Sequence, residues 1–116
     1  MTAHVDIVYM HDAGYWSIFV NGQYFGTTHK EYFTDTVFRS SCRAEMSDMA
    51  NVPTDDLRFT VYSDFFEKVY KATGGNYDCN DFLEDHATIM QLISQHGITP
   101  DGFGNNVTLE TLEMHY

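Results

Sequence analysis

The stretch 15–27, YWSIFVNGQYFGT, decides the fold at the N-terminal end of the chain. Its first half alternates the apolar residues Trp16, Ile18 and Val20 with Tyr, Ser and Phe, which is the two-residue period of a β-strand. Asn21-Gly22 follows, and both residues tolerate a positive φ, so they suit the type I′ turn of an antiparallel hairpin. The stretch therefore predicts a β-hairpin whose second strand runs from Gln23 to Thr27.

The segments on either side extend this hairpin into an α+β pattern. Residues 5–11 alternate in the same way, with Asp6, Val8 and Met10 on one face, which predicts an N-terminal antiparallel meander of three strands. Periodicity, caps and turn residues predict a strand over 57–63, helices over 64–72 and 81–96, and a last strand over 107–116. The expected fold is α+β: a single small domain over residues 1–116, with an antiparallel sheet packed with about three helices.

One further helix has two interpretations. Thr28 and Glu31 form a capping box, which predicts a helix beginning near His29. Its apolar residues fall in two stripes on nearly opposite sides, at about 100° per residue. Either this helix is buried on two sides or it breaks near Ser40-Ser41, and we favour the break.

Charge is the most informative feature for function. The 116-residue chain carries 17 Asp and Glu against 6 Lys and Arg, a formal net charge of −11. No Lys or Arg follows Lys71, whereas seven acidic residues do. This balance disfavours direct contact with nucleic acid or with an anionic membrane. With no apolar span, no basic leader and only two cysteines, a cytoplasmic location is expected.

Two acidic groups are the candidate binding residues. Asp81, Glu84 and Asp85 are three and four apart on the predicted 81–96 helix, which places their carboxylates about 6 Å apart on one exposed arc. Phosphates along a nucleic-acid strand have similar spacing, so a groove lined by Lys and Arg could accept this array. An acidic surface that only maintains solubility explains the same charge. The complete set of candidates is Asp78, Asp81, Glu84 and Asp85, with Tyr77 as an aromatic anchor, and then Glu45, Asp48, Asp55 and Asp56.

Patterns for catalysis or for metal binding are missing from the sequence. No HExxH, paired CxxC or closely spaced histidine pair occurs, so no metal or cofactor is expected. His86 falls on the apolar face of its predicted helix, where a hydrogen-bonded core histidine is expected. An enzyme is therefore not expected. A small carboxylate-dependent enzyme supported by His86 or His96 is the least favoured alternative.

In size, acidity and lack of catalytic motifs, the chain resembles the class of small acidic proteins, often from phages and mobile elements, that mimic nucleic acid. The resemblance implies a non-catalytic inhibitor that docks on the basic nucleic-acid-binding site of a partner, such as a restriction enzyme, a CRISPR effector or a nucleoid protein. The alternative from the residues themselves is a structural subunit that binds through an aromatic surface, because the chain holds 9 Phe, 8 Tyr and 1 Trp.

Overall fold

The computed structural model describes residues 2–11, 15–29, 40–75 and 84–100. The strands are β1 (Ala3–His11), β2 (Tyr15–Val20), β3 (Gln23–His29) and β4 (Leu57–Tyr62). The helices are α1 (Ser40–Ala50), α2 (Phe65–Ala72) and α3 (His86–Gln95), with a short 3-10 helix (Thr54–Asp56) before β4. These elements confirm the predicted α+β class.

The four strands form one mixed sheet in the order β3-β2-β1-β4. β1 with β2, and β2 with β3, pair antiparallel, which confirms the predicted meander. β4 instead pairs parallel with β1, from Ala3 opposite Leu57 to Val8 opposite Tyr62. The long connection that carries α1 allows this direction, because parallel strands need a crossover of a dozen or more residues. The sheet is therefore mostly, not wholly, antiparallel.

The predicted hairpin turn forms, and it also fastens the hairpin to β1. Asn21 and Gly22 both have positive φ, 49° and 82°, as a type I′ turn requires. The Asn21 backbone N–H donates to the His4 carbonyl at 2.7 Å, and the His4 N–H donates to Asn21 Oδ1 at 2.9 Å. The turn therefore lies beside the beginning of β1.

The two faces of the sheet bury different helices. One face packs residues such as Ile7 and Ile18 against Met46 of α1. The other face packs Val8, Met10 and Phe19 against buried residues of both later helices, namely Phe65, Val69, Ile89 and Ile93. Because side chains alternate along a strand, each strand contributes to both of these cores. The central strand β1 is covered on both faces, which is why its one acidic residue becomes buried.

Two predicted boundaries change. Thr28 and His29 lie in β3, paired with Trp16 and Tyr15, so the prediction of a helix beginning near His29 is wrong. Cross-strand pairing outweighs the local capping signal at these residues. α3 begins at His86 instead of residue 81. The choice between a helix buried on two sides and a break near Ser40-Ser41 depends on residues before α1, which lie outside the described residues. The described residues do not include 30–39, 76–83 or the predicted strand 107–116. Among the described helices, none is long and apolar enough to cross a membrane.

Candidate functional site

Four of the candidate acidic residues lie on α1 and the 3-10 helix, two elements in contact with each other. Glu45 and Asp48 are three residues apart on α1, and both are exposed. Asp55 is exposed and Asp56 is half-buried on the 3-10 helix. We call these four residues the α1 acidic group. The two elements that carry these acids are thus in contact, although the acids are up to 11 positions apart in the chain.

The turn between α1 and the 3-10 helix has a clear local cause. Asn51 takes a positive φ of 56°, the left-handed conformation that commonly ends a helix. The Val52 N–H then donates to the Ser47 carbonyl at 3.1 Å, while the Ser47 hydroxyl donates to the Val52 carbonyl. Val52 is buried against the sheet, which anchors the turn. Together with Pro53 and Asp48, these residues line a shallow, open depression beside the acidic group.

The α1 acidic group is not neutralised within the part of the chain that the structure describes. None of its four carboxylates takes part in an ion pair there. Arg58 is close in sequence, but its Nη1 donates to the backbone carbonyls of Asp55, at 2.8 Å, and Leu57, at 3.2 Å. The guanidinium therefore helps to fix the backbone before β4. The group presents three exposed carboxylates and one half-buried carboxylate.

The second acidic group is only partly described. Asp78, Asp81 and Tyr77 lie in the range 76–83, outside the described residues, whereas Glu84 and Asp85 are exposed immediately before α3. The prediction that Glu84 and Asp85 share a helical arc with Asp81 is wrong, because the helix begins after them. The short Asp85 side chain explains this start, since it caps the helix instead of continuing it.

Asp85 has a structural partner of its own. Its Oδ1 accepts from the Thr88 backbone N–H at 3.1 Å, and its Oδ2 accepts from the Thr88 hydroxyl at 2.7 Å. These hydrogen bonds, the hydroxyl contact first, lower the pKa of the Asp85 carboxyl below its ordinary value. Asp85 therefore stays ionised at neutral pH, where its charge is exposed to solvent and its oxygens hold the first turn of α3.

Sequence reasoning missed the buried charged residue of the described chain. Asp6 is only 5% exposed, and its carboxylate lies between two imidazoles. His4 Nε2 is 3.0 Å from Asp6 Oδ1, and His86 Nε2 is 2.8 Å from Asp6 Oδ2. Thr60 Oγ1 extends the network, 2.9 Å from His4 Nε2. We call His4, Asp6 and His86 the His–Asp–His cluster.

The strands and α3 explain why these residues meet. Alternation along β1 places His4 and Asp6 on one face, and the parallel register places Thr60 beside Asp6 on β4. Phe19 lies opposite Asp6 on β2, and its ring centroid is 5.0 Å from that of His86. The Gly22 backbone lies beside this imidazole: a Cβ at this position would be 3.5 Å from His86 Nδ1, an ordinary van der Waals distance. His86 is thus a hydrogen-bonded histidine packed on an aromatic ring, as expected.

The Asp6 carboxylate and burial shift the pKa values of His4 and Tyr62. The hydrogen bond to Asp6 raises the pKa of His4 above its ordinary value, although partial burial opposes the shift. Burial, and then the negative charge of Asp6, raise the pKa of the Tyr62 hydroxyl. Both shifts have the sign expected near a buried, negatively charged carboxylate.

The geometry does not form a nucleophilic triad. In a triad the histidine uses one ring nitrogen for the carboxylate and the other for the hydroxyl, whereas His4 directs Nε2 at both Asp6 and Thr60. Among the described residues, no group of three His, Cys, Asp or Glu side chains has the geometry to hold a metal ion. Within that part of the chain, the cluster is a polar link between the sheet and α3.

The local pattern contained one signal for this link. Asp6 alternates with Val8 and Met10, two residues that become fully buried, so an acid at this position requires a partner. The partner His86 is 80 residues away, and no local pattern connects the two.

No protein-family model, curated protein or solved structure matches this chain.

Proposed function

We propose that this chain is a non-catalytic acidic binding protein, which docks on the basic nucleic-acid-binding site of a partner protein and inhibits it as a nucleic-acid mimic. The supporting observation is the α1 acidic group: Glu45, Asp48 and Asp55 are exposed and Asp56 is half-exposed, with no ion pair to any of them among the described residues. Such a group attracts a surface of Lys and Arg, and it repels nucleic acid itself.

Helix stability does not account for the acids on α1. Asp48 lies near the C-terminal end of that helix, where the helix dipole disfavours a negative charge, and no basic residue lies in the last turn. On α2, by contrast, the acid is paired: Glu67 forms an ion pair with Lys71 one turn later, at 2.8 Å. Asp48 therefore costs the helix stability, and the α1 acids leave charge available to a partner, which favours a binding role over a structural one.

The proposal requires binding that depends strongly on salt. Contacts between exposed carboxylates and a Lys- or Arg-lined groove are screened over about 10 Å at 0.1 M ionic strength. Affinity should therefore fall steeply between about 50 and about 200 mM salt. DNA or RNA should also displace the protein, because both ligands would occupy one groove.

The experiment begins with capture of partners from the lysate of the native host on the tagged chain, with elution in rising salt and identification by mass spectrometry. Affinity for a captured nucleic-acid-binding protein is then measured for a variant with both Glu45→Gln and Asp48→Asn. The matched control is Glu67→Gln, which removes one exposed acid from α2. We expect the double variant to bind about tenfold more weakly or worse, since each desolvated charge contact is worth about 1–3 kcal/mol.

Two results would contradict the proposal. One is an unchanged affinity in the double variant together with a normal circular dichroism spectrum. The other is a partner that nucleic acid does not displace, because this would separate the docking surface from the groove. The Glu67→Gln control should bind as the unchanged protein does, and an equal loss in this control would mean that net charge alone sets the affinity.

A second candidate function, a subunit that binds through an aromatic surface, has support on α2. Tyr70 is 46% exposed, and its ring packs on Phe66 with centroids 5.4 Å apart. A rigid aromatic ring with an exposed face is typical of interface anchors. Binding through it would survive about 1 M salt, because apolar burial is not screened, and Tyr70→Ala would abolish it. The salt dependence of the first capture therefore separates the two functions.

A further inference from the structure

The His–Asp–His cluster joins two elements from opposite ends of the described chain. Asp6 lies in β1, and His86 is the first residue of α3. Beyond this bond, α3 contacts the second face of the sheet through buried apolar residues, namely Ile89 and Ile93. The 2.8 Å contact between His86 Nε2 and Asp6 Oδ2 thus gives the first turn of α3 a polar attachment to the sheet.

We propose that the His–Asp–His cluster is a pH-dependent latch, which holds the N-terminal end of α3 against the sheet more tightly at about pH 6 than at about pH 8. The latch does not depend on the function proposed above. The latch lies directly after Glu84 and Asp85 in the chain, so its protonation affects how tightly these two acids are attached to the sheet.

Among the described residues, the two imidazoles are the titratable side chains in contact with the Asp6 carboxylate. β2 and the Asn21-Gly22 turn contribute no charge, and the charged residues of α2 are exposed while Phe65 and Val69 face inward. Arg58 shares the face but directs Nη1 to two backbone carbonyls. The titratable or charged groups near Asp6 are His4 from β1, Arg58 and Tyr62 from β4, and His86 from α3, with Glu84 and Asp85 exposed before it.

A buried carboxylate needs strong donors, and an imidazolium is a stronger donor than a neutral imidazole. Hydrogen bonds between ionised partners are roughly twice as strong as neutral ones, and a buried charge without a counter-charge is costly. For His4 the sign is explicit. Because folding raises its pKa, its stabilising contribution is complete below the ordinary value of 6.5 and is lost as pH rises through the higher folded value.

The helix cap does not change over the same range of pH. The pKa of Asp85 is lowered, so this carboxylate remains ionised from about pH 6 to about pH 8 and keeps both bonds to Thr88. A change at the beginning of α3 in this range therefore reports on the cluster and not on the cap. Loosening the latch should increase local opening of the first turn while Ile89 and Ile93 remain packed.

Amide hydrogen exchange measured by NMR tests the latch in the protein alone. The readout is the protection of the Ile89 amide, which donates to the Asp85 carbonyl at 3.1 Å, divided by that of Val69 in α2. After correction for intrinsic exchange, this ratio should fall about fivefold from pH 6 to pH 8, the factor expected for one net hydrogen bond. The fall should be absent in His86→Gln and reduced in His4→Gln.

His96→Gln is the matched control, because it removes one histidine at the C-cap of the same helix, about 15 Å from His86. This variant should keep the full pH dependence. A constant ratio in the unchanged protein overturns the proposal, and so does an unaltered pH dependence in His86→Gln. If the glutamine variants do not fold, the NMR titration of His4 in the unchanged protein decides: its midpoint should coincide with that of the Ile89 exchange, and different midpoints overturn the latch.

Discussion

Replacing Asp6 with Asn tests how much the buried carboxylate contributes to stability. Asn has the same shape, but it carries no charge, and its NH2 group, a donor, replaces one of the two oxygens that the imidazoles contact. The two imidazoles differ in exposure. The side chain of His86 is 23% exposed and that of His4 is 42% exposed, while that of Asp6 is 7% exposed. The contact with His86 should therefore dominate the loss.

The magnitude follows from these exposures. A hydrogen bond to a charged group in a mostly buried setting contributes about 1.5–3 kcal/mol. The contact with His4 is screened by solvent and contributes less than about 1 kcal/mol. Removing the carboxylate also removes its desolvation cost, which offsets part of the loss. We expect Asp6→Asn to lower the free energy of unfolding by about 2 kcal/mol near pH 6, and by less as the pH rises and His4 loses its charge.

Urea unfolding followed by circular dichroism measures this change. The control is Asp64→Asn at the N-cap of α2, where the side chain makes no capping bond, so a change within about 0.5 kcal/mol is expected. An Asp6→Asn variant as stable as the unchanged protein, or more stable, would refute the reasoning. It would mean that the cost of burying the carboxylate equals or exceeds its attraction to the two imidazoles.

Two further pairs of substitutions test the turn and the cap. Gly22→Ala should destabilise the protein by about 1–2 kcal/mol in urea unfolding, because its φ of +82° lies in the left-handed region that a residue with a Cβ rarely adopts. Gly26→Ala, with nothing within 4 Å of the new Cβ, should be close to neutral, and equal losses would contradict the turn argument. Asp85→Ala should lower the protection of the first turn of α3 in hydrogen exchange, whereas Asp85→Asn should largely keep it, because Asn also caps helices. Equal losses in both Asp85 variants would show that charge, and not the capping bonds to Thr88, holds the turn.

The candidate site was predictable only in part. The residues of the α1 acidic group could be predicted from the sequence, because the exposure of acids in and near a helix does not depend on a distant partner. The prediction that Asp81, Glu84 and Asp85 share a helical arc is wrong for Glu84 and Asp85. The Asp85 side chain bonds to Thr88 and caps the helix, which therefore begins after these two residues. A capping residue and a helical residue look alike when periodicity alone is counted.

The sequence by itself determined the N-terminal meander, α2 and the α+β class, because alternation and the Asn21-Gly22 turn act between neighbouring residues. Only the tertiary structure decided that β4 runs parallel to β1, because strand direction depends on a long connection and not on local pattern. The link between Asp6 and His86 has the same origin. Two side chains 80 residues apart meet because β1 is covered on both faces, and a buried carboxylate must find its hydrogen-bond donors wherever the packing places them.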